Sequence, residues 1–238
     1  MTDDGVAQLS VRRLPPLPAG LGFVLVIGGA FAAVAPFDVV FAAITGTSAL
    51  SRVVLFYFLA LLGALAGQRI GLRIRPERSG GAVLGLVFAL LVALWVAGTD
   101  VLFRSILPVD YVDFIHRPLG DRLLYFVLRA FNENVFYRLF LFSILAWSLT
   151  WIWPGPDGRP RVAAMWSAMV IAQMANIGLN VCLRDPPVSV ASIAYDGLRY
   201  IVPGVCWAWL YWRSGFATAE VASVSCHVFL QPPLGHLI

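Results

Sequence analysis

The chain has no lysine: all 17 of its basic residues are arginine. That excludes a Schiff-base lysine, a P-loop lysine and a polybasic lysine tail. Charge of either sign is scarce. It makes up 13% of 238 residues, where a soluble domain carries about a quarter. Cysteine is nearly missing too. Cys182, Cys206 and Cys226 are odd in number, scattered and set in apolar runs without a C-x-x-C spacing, so they form no disulfide framework. They read as small buried apolar residues. Three histidines, His116, His227 and His236, are too dispersed to announce a metal site. No metal and no cofactor is expected.

What the chain does have is hydrocarbon. Hydrophobic residues make up 60% of it and the mean hydropathy is +0.82. These values exclude a soluble enzyme, a disordered tail and a disulfide scaffold. They predict an all-α fold, a polytopic transmembrane helical bundle in which the lipid bilayer is the solvent. At about 20 apolar residues per span, the length allows roughly six to eight helices, and the runs suggest about seven. Residues 1–19 form a polar N-terminal tail with Asp3, Asp4, Arg12 and Arg13. Residues 20–238 form a single integral membrane domain.

The apolar runs fall at about 20–44 (interrupted by Pro36 and Asp38), 53–66, 81–103, 119–153, 162–182, 188–212 and 216–230. Pro232-Pro233 is expected to end the last one. Residues 104–122 are rich in Pro and Asp and read as an interfacial loop or short amphipathic helix. Trp147, Trp151, Trp153, Trp207, Trp209 and Trp212 sit near run ends, as an interfacial belt would. With the N-terminus inside, inner segments hold nine arginines and outer segments five. This favours N-in, C-out in a bacterial cytoplasmic (inner) membrane. Arginine placed between apolar runs also argues for topology signals and against nucleic-acid binding as the reason for a pI near 9.3.

Ionisable and amide side chains inside an apolar run cost at least a few kcal/mol, so each needs a reason. Arg129 and Glu133 are four apart, as are Asn134 and Arg138, so each pair shares a helix face. Gln173, Asn176 and Asn180 form a stripe on the next run. Asp196 and Arg199 read as an internal ion pair. Glu220, His227 and Gln231 lie on the last run. In a bundle these stripes turn toward one another, because the alternative is lipid.

Three of these segments resemble the CPBP family, the CAAX-processing and bacteriocin-processing (Abi-type) intramembrane proteases. That family carries E-E-x-x-x-R, then F-x-x-x-H, then H-x-x-x-N on separate helices. Here the first reads Glu133-Asn134-Val135-Phe136-Tyr137-Arg138, and the third reads His227-Val228-Phe229-Leu230-Gln231. Between them, 210–216 resembles the family's aromatic-basic-Gly turn. The motif-bearing half is 120–231. Three positions depart from the pattern. Asn134 replaces the second Glu, Asn176 stands where the middle His belongs with Ala172 at the Phe position, and Gln231 replaces the final Asn.

The resemblance implies a glutamate-based endopeptidase. Glu133 would be the base that activates water, and His227 and Gln231 would donate to the oxyanion. Asn176 would only orient a water, and Arg138 would anchor the site beside Asn134 and Arg129. The substrate would be a membrane protein or a lipidated peptide. Plainer roles stand beside these. Glu133 neutralises Arg129, and Asn176 and Gln173 serve as interhelical glue. On that footing the chain is a non-catalytic relative, a scaffold or assembly subunit of a membrane complex. A small transporter built on Glu133 and Asp196/Arg199 is a third possibility.

Overall fold

A backbone in hydrocarbon has no water to bond to, so apolar runs close on themselves as helices. The computed structural model describes residues 16–34, 46–76, 80–155, 158–182 and 189–238. Asp3, Asp4, Arg12, Arg13, Pro36, Asp38 and Arg184 lie outside the described residues. Among those described there is no strand, only an isolated bridge between Pro154 and Pro160.

The helices are α1 (Leu21–Val34), α2 (Ala49–Arg69), α3 (Gly81–Leu102), α4 (Val109–Ile115), α5 (Leu119–Asn134), α6 (Ser143–Ile152), α7 (Val162–Cys182), α8 (Val190–Asp196), α9 (Val202–Ser214) and α10 (Phe216–Leu237). A π-helical stretch, Val135–Phe142, joins α5 to α6, and a second, Gly197–Ile201, joins α8 to α9. Four helices are long and apolar enough to cross a membrane: α2, α3, the continuous Leu119–Ile152 and α7.

The packing is that of a membrane bundle, with small residues inside and large ones outside. On α3, Gly85, Ala89, Ala93 and Val96 are buried, while Val83, Val87, Leu90 and Leu94 face outward. The same logic brings α2 against the first π stretch. A Cβ at Gly63 would stand 2.3 Å from the Leu139 carbonyl oxygen, so only glycine allows this approach. Helix α10 is central, packed on α3, α5 and α9, while α7 lies against α6, α9 and both π stretches.

Two expectations need correction. The last helix does not stop at Pro232-Pro233 but runs to Leu237. Two lost N–H donors weaken it there, yet Leu234 in the following turn is fully buried and holds the segment in place. Trp207 is not part of an interfacial belt; it is buried in the core. The 104–122 segment contains a single 3-10 turn, Arg104–Ile106, then α4 and the first turn of α5.

The helices alternate in direction, which sorts the loops into two ends. One end carries Arg69, Arg73, Arg75, Arg159, Arg161 and Arg213. The other carries α4 with Arg104 and Arg117. There Arg52 caps α1: its Nε donates to the Ala32 carbonyl (2.7 Å), its Nη2 to Ala33 (2.7 Å) and its Nη1 to Thr47 (3.1 Å).

Candidate functional site

A π stretch opens the i→i+4 ladder and displaces the face on either side, and such bulges recur at functional sites. Each π stretch here carries a buried arginine, Arg138 or Arg199. The polar stripes of three runs meet around the first. Arg138 Nη2 donates to Gln173 Oε1 at 2.9 Å, from the π stretch to α7. Asn134 Nδ2 donates to Glu220 Oε2 at 3.3 Å, from α5 to α10. The carboxylates of Glu133 and Glu220 both attract the Arg138 guanidinium. Gln173 lies over Gly204, where a Cβ would be 1.8 Å from its Oε1, so a bare backbone on α9 makes room for the amide.

The motif residues are spread along the bundle. Contacts between α5 and α10 run antiparallel: Arg122 with Gln231, Phe126 with His227, Asn134 with Glu220. On that register Glu133 stands level with Glu220. It is therefore six to seven residues, about 10 Å, from His227 at 1.5 Å per residue.

Each motif residue has local company. Glu133 Oε1 accepts from Arg129 Nε at 2.7 Å, and Arg129 Nη1 donates to Tyr125 Oη at 2.8 Å. The His227 ring stacks on Phe126, with centroids 4.7 Å apart and planes within 7°. Gln231 is buried against Arg122, whose Nη1 donates to its backbone carbonyl at 2.8 Å. Asn176 Oδ1 accepts from Asn180 Nδ2 at 2.9 Å, on α7, which packs away from α10. The structure thus brings Asn134, Arg138, Gln173 and Glu220 together. It gathers His227 and Gln231 with Phe126 and Arg122 about two turns away.

The α5–α10 seam has unspent hydrogen-bonding capacity. Among the described residues, Asn132 (both amide atoms), Asn134 Oδ1, Glu220 Oε1, His227 Nδ1, Gln231 Nε2 and Arg122 Nε are buried without a hydrogen-bond partner. Buried polar atoms are nearly always paired, so a run of exceptions on one helix pair marks the seam as the place where a water or a guest would find partners. Sequence reasoning named Glu220 as polar but gave it no role. Its spacing from His227, seven residues and so the same face of α10, was the available signal.

A second cluster surrounds Asp100, which no motif marked. Arg199 Nε lies 3.0 Å from Asp100 Oδ1. Tyr111 Oη donates to Asp100 Oδ2 at 2.7 Å, and Tyr195 Oη donates to Oδ1 at 2.8 Å. Arg199 lies over the Tyr111 ring at 4.3 Å and donates from Nη1 to Tyr200 Oη at 3.1 Å. The ion-pair partner of Arg199 on α3 is therefore 99 residues away, beyond the reach of local spacing. Burial raises the Tyr111 phenol above its usual range, against the pull of Arg199, so it stays a donor to Asp100.

Set against family models, curated proteins and solved structures, the chain matches none.

Proposed function

We propose that the chain is a polytopic, CPBP-like bundle of about seven spans. In this reading it holds a membrane-embedded polypeptide or lipidated segment along the α5–α10 seam without cleaving it, as a scaffold or assembly subunit. The observation that carries this is the contrast within the seam. Its amides, its imidazole and Glu220 retain unused hydrogen-bonding capacity, while the groups hydrolysis needs are committed or missing. Glu133 is bound to Arg129, Asn176 replaces a proton-transferring imidazole, and Glu133 is about 10 Å from His227 along the register. An amide side chain donates and accepts but cannot relay a proton, a step usually worth 10²–10⁴-fold in rate. Unpaired amides suit a guest whose own backbone or head group supplies the missing partners. The end rich in arginine faces the cytoplasm of the inner membrane in this reading.

The test uses the purified full chain against a panel of membrane-tethered and prenylated peptides. No cleavage is expected from the chain or from its Glu133→Ala variant. Site-specific photocrosslinking from position 132 or 223 is expected to capture a membrane polypeptide whether or not Glu133 is present. Turnover abolished by Glu133→Ala would overturn the reading and restore the endopeptidase.

A further inference from the structure

At the arginine-rich end, three loops converge on a cavity of about 410 Å³. Arg73 and Gly71 come from the loop after α2, Arg159 and Pro160 from the loop before α7, and Arg213 with Trp212 from the end of α9. No acidic residue lines it among those described. Arginines that only set topology need a place in a loop, not a common point. Here the loops are fastened so that three arginines line one cavity. Phe216 N donates to the Arg73 carbonyl and Ala217 N to that of Ile74, both at 2.9 Å, which ties the first loop to the start of α10 beside Arg213. Gly155 N donates to the Arg159 carbonyl at 2.9 Å and closes the second loop. The Arg159 guanidinium then lies over Gly71, whose φ of +84° turns the chain there; a Cβ at that position would be 3.6 Å from Arg159 Nε.

The floor is polar as well. Tyr211 lines the cavity, and its hydroxyl, 3.2 Å from Ser143 Oγ, abuts Gly67. Arg159 and Arg213 have no carboxylate partner among the described residues. Two guanidinium groups without a carboxylate partner among the described residues, a third arginine beside them and hydroxyl and indole lining suit an anion. Its volume falls within the range of ordinary ligand sites, about 300–1,000 Å³. Arginine forks match the oxygens of a phosphoryl group, two at a time.

We propose that this cavity binds a phosphate-bearing anion at the membrane surface, with Arg159 and Arg213 as its main ligands. Two sources share that chemistry: the head group of an anionic phospholipid, and a soluble phosphate compound. The site is independent of whether the α5–α10 seam hydrolyses anything.

Binding is measured by calorimetry on the full chain in neutral detergent. Three probes are used: short-chain phosphatidic acid, short-chain phosphatidylcholine and inorganic pyrophosphate. The variant is Arg159→Gln/Arg213→Gln. The control is Arg104→Gln/Arg117→Gln, which removes the same charge at the opposite end. Retention of monodisperse, helical protein is checked for both.

Phosphatidic acid is expected to bind and phosphatidylcholine not. The cavity variant is expected to lose about tenfold in affinity per guanidinium, and the control to lose less than threefold. Binding of phosphatidic acid alone would assign a lipid head group. Binding of pyrophosphate alone, with the same losses, would assign a soluble phosphate. Absence of binding to both anions, or equal losses in variant and control, would overturn the site.

Discussion

Asp100→Ala tests how much the bundle depends on a buried charge pair. Asp100 is 0% exposed, yet it receives two phenol donors and faces one guanidinium. Removing the carboxylate leaves Arg199 buried without its counter-ion. Breaking a buried pair in this way costs about 3–5 kcal/mol. Two charge-assisted hydrogen bonds also disappear, each on the order of 1.5 kcal/mol, but they belong to one network and do not add in full. The expected loss is about 4 kcal/mol. Asp100→Asn should cost nearly as much, because its amide nitrogen is a donor facing donors. Asp100→Ala/Arg199→Met removes both charges while keeping an apolar stem over Tyr111, and should recover at least half of the loss. The assay is reversible unfolding in mixed micelles, titrated with a denaturing surfactant and read by circular dichroism. A single-variant loss under about 1 kcal/mol, or a double variant no more stable than the single, would refute the reasoning.

Other parts of the bundle give sharper local readings. Arg52→Lys should destabilise by about 1–3 kcal/mol, because one ammonium cannot reach the three carbonyls that Arg52 holds; protease sensitivity near 33 would report it. Gly204→Ala should displace Gln173 and break its bond to Arg138, lowering stability by about 1–3 kcal/mol, whereas Gly98→Ala, inside α3 with open space around it, should hold stability or raise it by up to about 1 kcal/mol. Cysteine placed at Asp110 or Asp113, both exposed on α4, should react with an impermeant thiol reagent from the face opposite the arginine-rich loops; protection there would disprove the layout.

The helices were legible because lipid leaves one solution: long apolar runs, broken by Pro, Gly and charge, must be helical. The runs at 81–103 and 162–182 match Gly81–Leu102 and Val162–Cys182 closely. The tie from Glu133 to Arg129 follows the α-helical period, so the four-residue spacing alone points to it. Partners set by packing were not legible. Asp100 lies near the end of an apolar run, where an acid reads as a boundary, and its importance comes from Tyr111, Tyr195 and Arg199 on other helices. The π stretches escaped notice because no residue type announces them, although they shift the face of the chain right where Arg138 and Arg199 enter the core. The prolines at 232 and 233 misled for the opposite reason: a strong local rule was overridden by the burial of Leu234.

The buried arginines of the two π stretches sit in unlike surroundings. Around Arg199 most of the polar groups engage one another: a carboxylate and three phenols enclose the guanidinium, and its Nε, without a hydrogen bond, still lies in ion-pair contact with Asp100. Such a cluster ties α3, α4 and the α8–α9 unit together. Around Arg138 the groups are spent only in part: Glu220 and Asn134 each keep an unpaired oxygen, and Asn132 keeps its whole amide. A chain selected only for stability would have filled that seam with alanine and leucine, since replacing buried polar groups by packed apolar ones is often neutral or favourable. That it instead holds amides, an imidazole and a second carboxylate on facing helices fits the proposed role of the seam in holding a guest, and the crosslinking from positions 132 and 223 tests it.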